Sequence, residues 1–236
     1  MSDRVFEIVT SSFMKLLIPG ITVTIPLTIL SFLLSLVLGL LLAVSQTANI
    51  KGLKQFSVFY IWIFRGTPLI VQLFIIFHGL PTIGIYIEAF WAAIIAFGLN
   101  LAAYNAEAIR AAILAIPEGQ LEAAYMIGLS YPIAMIRIVL PQAFQIAFPS
   151  LFNNLISLLK DTSLASSITV VEMFAVVQQI TGRTYEYFAL YLEVAFIYLI
   201  FSTLLTFLQS YLEKKFVWKS DATKEEKRGR RRAMLG

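Results

Sequence analysis

Five long stretches without charged residues divide the chain, and the charged residues are grouped between them. The stretches cover residues 16–50, 66–87, 89–106, 138–159 and 194–212. A helix needs about 20 apolar residues to cross the hydrocarbon core of a bilayer. The pattern therefore predicts an all-α, polytopic membrane helical bundle with five transmembrane helices. Residues 1–15 precede the membrane domain at 16–212, and residues 213–236 form a tail.

The second span contains a proline close to its charged start. Residues 56–64 are apolar, and Arg65 is followed by Gly66, Thr67 and Pro68. Proline removes a backbone donor and disfavours the helical region for the residue before it. We therefore expect an irregular helix at this point.

Composition excludes several classes of protein. Of the 236 residues, 59% are hydrophobic and 14% are charged, whereas soluble domains carry roughly 25% charged residues. The chain has no cysteine and one histidine, which excludes thiol chemistry, disulfide scaffolds and Cys- or His-rich metal sites. No metal site is expected.

Basic residues predict the orientation of the chain. Nine of the 18 Lys and Arg residues lie in residues 213–236, and cytoplasmic segments are enriched in such residues. A cytoplasmic tail and five spans place the N-terminus outside. The basic run at 227–232 fits a solvated tail near anionic lipid better than a nucleic-acid patch, so we expect contact with lipid and none with nucleic acid.

The third connection, at about 107–141, is long for a hairpin between two membrane helices. Within it, Pro117 precedes Glu118 and Glu122, a pattern typical of a helix N-terminus. We predict a helix of about three turns that Gly128 stops, followed by a second segment that ends at Pro141. Glu122, Tyr125 and Met126 share one face of this helix. The helix either docks a partner or lies on the membrane surface.

This connection resembles the EAA loop of bacterial ABC importer permeases. Glu122-Ala123-Ala124, Gly128, Ile138, Leu140 and Pro141 stand at the spacing E-A-A-(x)3-G-(x)9-I-x-L-P. Residues 64–74, 104–110 and 157–166 are similar to the polar-amino-acid branch of those permeases. Within that branch, residues 156–166 and 188–193 are most similar to cystine permeases.

The resemblance implies a type I permease whose short cytoplasmic coupling helix inserts into a separate ATPase subunit. The coupling residues would be Glu122, Ala123, Ala124, Tyr125, Met126 and Gly128. The chain has no G-x-x-x-x-G-K-[ST] phosphate loop, so it is expected to be a transport subunit and not an enzyme. ATP and Mg²⁺ would be used by a cytoplasmic ATPase dimer, and this chain would bind no cofactor.

Further partners follow from the same resemblance. Five helices are few to enclose a gated path, and an ATPase dimer presents two grooves, so we expect a second permease copy or a paralogue. An extracytoplasmic solute-binding protein would deliver a polar amino acid, with cystine favoured over glutamine, arginine or histidine. Transport would proceed by alternating access across the cytoplasmic membrane.

Polar residues within the membrane domain are candidates for the substrate path, because ionisable groups at bilayer depth are costly and usually line a path or pair. An amino acid needs a carboxylate for its ammonium and a cation for its carboxylate. The candidates are Lys160, Asp161, Thr162, Ser163, Arg65, Gln72, Asn100, Tyr104 and Glu107. Alternatively, Gln72, Asn100 and Tyr104 bond neighbouring helices, Glu107 pairs with Arg110, and Lys160 or Asp161 braces the fold.

Two other classes stay open. A passive channel would transport without nucleotide, but it leaves the EAA-like loop unexplained. A membrane enzyme needs convergent catalytic groups, for which one histidine and no cysteine offer few candidates. The direction of transport rests on the resemblance alone.

Overall fold

The computed structural model describes residues 3–48 and 52–216, and that part of the chain folds into helices and short connections. The helices are α1 (Asp3–Thr47), α2 (Leu53–Gly66), α3 (Leu69–Ile83), α4 (Ala89–Leu114), α5 (Gly119–Met126), α6 (Tyr131–Ile168), α7 (Met173–Thr184) and α8 (Tyr187–Phe216). The predicted basic run at 227–232 lies outside the described residues. The fold class is all-α, as the uncharged stretches predict.

Four of these helices, α1, α4, α6 and α8, are long and apolar enough to cross a membrane. A fifth candidate is the pair α2 and α3, which are bent by 105° relative to each other at a short break. The break lies at Gly66–Pro68, where Thr67 is extended with φ −120° and ψ 145°. The expected irregularity before Pro68 is thus present, and its size makes the second span two helices rather than one.

The connection after α4 is shorter than the charge pattern predicts. Helix α4 continues to Leu114, so Glu107 and Arg110 lie on this helix and not in a loop. The predicted break at Pro141 is wrong, because α6 runs without interruption from Tyr131. The connection is therefore confined to residues 115–130.

Wide helical turns allow prolines inside the long helices. The π-helical turns Gly20–Thr24, Ile75–Gly79 and Met135–Val139 are each followed, two residues later, by a proline: Pro26, Pro81 and Pro141. In each case the residue before proline donates its N–H to the carbonyl five residues earlier. Proline lacks an N–H, and its ring crowds the carbonyl four residues back. The wider turn relieves this crowding without ending the helix.

Helix α4 forms the centre of the bundle. It packs along α1, and also against α2, α3 and α6. Two glycines allow the close crossing with α1: a Cβ on Gly98 would lie 2.5 Å from Leu34, and one on Gly39 would lie 2.9 Å from the Cβ of Asn105. Small residues at such crossings let backbones approach closely in membranes. The core of the bundle therefore lies along α4.

Candidate functional site

The candidate coupling helix is α5, an exposed helix between α4 and α6. It spans Gly119–Met126, about two turns instead of the predicted three. Gly128 ends it with φ +80°, a conformation that favours glycine. The N–H of Leu129 reaches the Ala124 carbonyl at 3.0 Å and that of Gly128 the Tyr125 carbonyl at 2.9 Å, which is a Schellman cap. The predicted stop at Gly128 is confirmed.

One face of α5 packs against the start of α6, and the other face is exposed. Ala124 is 1% exposed, and Leu121 packs against the cluster that contains Met135 and Val139 at the start of α6. Glu122, Ala123, Tyr125 and Met126 are exposed, and Met126 reaches 87%. The structure thus presents an acid, an aromatic ring and a thioether on a helix held from behind.

The break between α2 and α3 is held by side-chain amides. Gln72 donates its amide to the carbonyls of Phe64 (3.0 Å) and Thr67 (3.2 Å) and to the Thr67 hydroxyl (2.7 Å). Asn100 of α4 donates to the Phe64 carbonyl (3.1 Å) and to the Gln72 amide oxygen (3.0 Å). Both amides are buried. Two of the candidates for the substrate path therefore bond neighbouring helices, which is the alternative drawn from sequence.

Charged candidates cluster beside this break. The Nη1 of Arg65 lies 3.7 Å from Oε2 of Glu107, and its guanidinium lies 5.5 Å from the Tyr104 ring centre. Arg110 contacts both carboxylate oxygens of Glu107, at 3.2 Å and 3.1 Å. The predicted pair of Glu107 and Arg110 is present, and Arg65 joins it from α2. Two guanidinium groups thus share one carboxylate.

The candidates in the last third of α6, at residues 160–163, differ in exposure. Lys160 is exposed, Asp161 and Ser163 are half-buried, and Thr162 is fully buried. Thr162 donates to the Leu159 carbonyl (2.7 Å) and Ser163 to that of Lys160 (2.7 Å). Within residues 3–48 and 52–216, neither Lys160 nor Asp161 takes part in an ion pair. Of this group, Lys160 is the side chain that faces outward.

A buried polar chain that sequence reasoning missed crosses the middle of the bundle. Asn105 donates to the Ser35 hydroxyl at 2.8 Å and accepts from the Asn154 amide at 2.9 Å. Asn105 and Ser35 are fully buried. These two hydrogen bonds link α1, α4 and α6. The signal for them in the sequence is a set of isolated polar residues in apolar stretches.

Two buried carboxylates were not among the site residues selected from the sequence. Glu172 accepts from the N–H groups of Phe174 and Ala175 at the start of α7, both at 2.7 Å, and from the Tyr198 hydroxyl at 3.1 Å. Glu193 accepts from the Ser12 hydroxyl at 2.6 Å. A carboxylate before a helix is a cap that sequence can suggest, whereas its contact with α8 appears only in the fold.

The structure brings the predicted residues into separate groups. Gln72 joins Asn100, and Arg65 joins Tyr104 and Glu107, while the exposed face of α5 lies apart on its own helix. In the described ranges no three His, Asp or Glu side chains converge on a point that a metal ion would occupy.

Comparison with known proteins places this geometry among transport proteins. The family described as "Binding-protein-dependent transport system inner membrane component" matches residues 35–218. The L-cystine transport system permease protein TcyB of Bacillus subtilis (strain 168) is 44% identical over 211 residues, covering 89% of this chain and 90% of TcyB. The arginine transport system permease protein ArtQ of the same organism is 36% identical, covering 84% of this chain and 91% of ArtQ.

A solved structure has the same fold. It is described as the crystal structure of an amino acid ABC transporter with histidines. The similar chain in it superposes with a TM-score of 0.79 at 35% sequence identity, covering 87% of this chain and 96% of that one. The helical arrangement described above is therefore the fold of an ABC transporter membrane subunit.

Proposed function

The chain belongs to the family of binding-protein-dependent transport system inner membrane components, and we propose that it imports a polar amino acid, with cystine as the favoured substrate. It is a multi-pass membrane protein and the permease subunit of an amino acid ABC importer, without an ATPase site of its own. The preference for cystine is supported by the similarity to TcyB, while the similarity to ArtQ keeps arginine as an alternative, alongside glutamine and histidine.

The observation that carries this proposal is the geometry of α5. Its exposed face offers the Glu122 carboxylate for a charge-assisted hydrogen bond with an Arg or Lys of a partner, beside Tyr125 and Met126 as apolar anchors. Ala123 keeps the exposed side slim enough for a groove. Because Ala124 and Leu121 fix α5 to the start of α6, a push on α5 is transmitted to a helix that crosses the bundle.

The partners follow from this role. A cytoplasmic ATPase dimer binds and hydrolyses ATP with Mg²⁺, and its motion rocks α5. A second copy of this chain, or a paralogue, completes the path. An extracytoplasmic solute-binding protein delivers the amino acid. The bundle itself is surrounded by lipid, and nucleic acid has no role.

The orientation places α5 in the cytoplasm. Counting α2 and α3 as one span gives five crossings, so a cytoplasmic C-terminus puts the N-terminus outside. Lys54 and Arg137 then lie on the cytoplasmic side, as positively charged residues commonly do.

The path for the amino acid runs past the charged candidates. Lys160 and the Arg65 guanidinium are cations for its carboxylate, and Glu107 and Asp161 are acceptors for its ammonium. Tyr104 and Ser163 contribute hydroxyls beside them. Thr162, Gln72 and Asn100 support this surface from the buried side.

The test is uptake of radiolabelled amino acids by proteoliposomes that contain the chain with its candidate ATPase and binding protein. Cystine, arginine, glutamine and histidine are compared, with and without ATP. We expect ATP-dependent uptake, greatest for cystine. Glu122→Arg should abolish it while the complex still assembles.

Gln120→Arg is the matched control, because Gln120 is exposed on the opposite side of α5 from Glu122 and its replacement should leave uptake unchanged. Uptake that needs no ATP and tolerates Glu122→Arg would identify a passive channel and overturn the proposal. Preference for another of the four amino acids would overturn the assignment of cystine alone.

A further inference from the structure

An outward-facing polar stripe runs along α6. It consists of Ser150, Asn153, Ser157 and Lys160, all of which are exposed. The spacing of three, four and three residues places them on one side of the helix. They cover about 15 Å of helix length, within the 38-residue helix that is long and apolar enough to cross a membrane.

Three side chains of this stripe, those of Ser150, Asn153 and Ser157, have no hydrogen-bond partner among the described residues. Elsewhere in the membrane helices, hydroxyls such as those of Thr28, Ser57 and Thr206 donate to a carbonyl of their own helix. Across residues 3–48 and 52–216, no side-chain hydrogen bond involves Ser150, Asn153 or Ser157. An amide without a partner is costly in hydrocarbon, so lipid is an unfavourable neighbour for this surface.

The outward surface of α8 shows what a lipid-compatible face looks like in the same molecule. Its exposed large side chains are Phe196, Leu199, Ile200, Leu204, Phe207, Leu208 and Tyr211. Its exposed hydroxyls are those of Thr203, Thr206 and Ser210, so exposed hydroxyls alone do not distinguish the two surfaces. The one amide of this stretch, Gln209, is buried and donates to Glu213 at 2.9 Å. The stripe on α6 therefore differs from this surface in exposing an amide, Asn153, and a charged side chain, Lys160.

A second exposed feature of the bundle is the break between α2 and α3. The break at Gly66–Pro68 is exposed, and the segment Leu69–Phe74 after it contacts Thr162–Ile168, which follows Lys160 on α6. Irregular backbone at membrane depth is tolerated where protein buries it or where it lines a water-filled cavity. The exposed break therefore favours water or protein beside it, as the unpaired amide on the stripe does.

We propose that the stripe of Ser150, Asn153, Ser157 and Lys160 lines a water-filled translocation path. This inference rests on the proposed function and adds Ser150, Asn153 and Ser157 to the residues that meet the substrate. Asn153 and Ser157 hydrogen-bond the polar groups of a passing amino acid, and Lys160 attracts its carboxylate at the outer end of the stripe.

Thiol accessibility tests the proposal directly, because the chain contains no cysteine and each substitution creates a single reactive site. Ser150→Cys, Asn153→Cys and Ser157→Cys are made in the full chain, assembled with its partners in membrane vesicles. The controls are Leu199→Cys and Leu204→Cys, at positions 58% and 59% exposed on α8. A charged, water-soluble methanethiosulfonate reagent reads water access, because the thiolate is the reactive form and apolar surroundings disfavour it.

We expect modification at 150, 153 and 157 to be at least about tenfold faster than at 199 and 204, in keeping with the loss of thiolate in apolar surroundings. Saturating amino acid should slow the reaction at 153 and 157. Rates equal to those of the α8 controls would show that a second subunit or lipid covers the stripe, and would overturn the proposal. Fast rates that no amino acid slows would overturn the substrate contacts.

These outcomes are separable from those of the proposed function. If the cysteines on the stripe react quickly but uptake does not depend on ATP, the water-filled path is supported and the importer function is rejected. If uptake depends on ATP but the cysteines on the stripe do not react, the importer function is supported and the path along the stripe is rejected.

Discussion

Two adjacent asparagines on α6 have different environments. Asn154 points into the bundle and donates to Asn105 at 2.9 Å. Asn153 lies one step around the helix, is exposed, and has no hydrogen-bond partner among the described residues. The same side chain thus braces the fold at one position and is left unpaired at the next. For a polar residue in a membrane helix, its partners indicate its role better than its residue type.

The comparison extends to two regions. The inner region, with Ser35, Asn105, Asn154 and Glu172, satisfies its polar groups within the fold. The outward stripe of α6 does not. Substitutions in the inner region should therefore lower stability, whereas substitutions in the stripe should lower transport at constant stability.

The largest loss of stability is expected for Glu172→Ala. Two backbone N–H groups of α7 and the Tyr198 hydroxyl lose their acceptor in a buried site. We expect the free energy of unfolding to fall by about 2–3 kcal/mol, measured by denaturation in detergent. Glu172→Gln keeps an accepting oxygen and should cost less; equal losses for the two variants would contradict the capping role.

Asn105→Leu should come next. It removes the partner of both Ser35 and Asn154, and interhelical hydrogen bonds in membranes contribute about 0.6 kcal/mol each on average. We expect a loss of about 1–2 kcal/mol. A double-mutant cycle with Ser35→Ala should show non-additive losses; strict additivity would mean that the two residues do not interact.

Asn154→Leu removes a single bond of the inner chain. Its expected cost is about 0.5–1 kcal/mol, and uptake by the folded fraction should be retained. The measurement is the unfolding free energy together with uptake per folded complex. Loss of uptake at unchanged stability would place Asn154 in the path and contradict the difference in role drawn between Asn154 and Asn153.

Asn153→Leu is expected to have the smallest effect on stability, within about 0.5 kcal/mol. Uptake should nevertheless fall several-fold, because an apolar side chain replaces the amide that we propose meets the substrate. The unfolding free energy and the uptake per folded complex distinguish Asn153→Leu from Asn154→Leu. A stability loss equal to that of Asn154→Leu would show that Asn153 is paired in the assembled protein.

Much of the fold was predictable from local features of the sequence. Uncharged stretches predicted the all-α bundle, Pro68 predicted the irregular second span, and Gly128 the end of α5. The predicted interruption at Pro141 was wrong, because a π-helical turn accommodates the proline. The connection was predicted too long, because Glu107 and Arg110 pair on α4 instead of marking its end.

The candidate site was less predictable. The exposed face of α5 was expected from the spacing of Glu122, Tyr125 and Met126, which helical geometry determines. By contrast, Gln72 and Asn100 entered as candidates for the path and turned out to hold the break between α2 and α3. Asn100 acts 28 residues from its partner, so no local pattern identifies it.

The sequence by itself determined which segments form long apolar helices, where the second predicted span breaks and where the exposed helix ends, because hydrophobic length, proline and glycine act over a few neighbouring residues. Tertiary structure alone decided which polar groups are paired, because hydrogen bonds between helices join residues far apart in the chain. Helix packing turns Asn154 toward Asn105 and leaves Asn153 and its stripe facing outward.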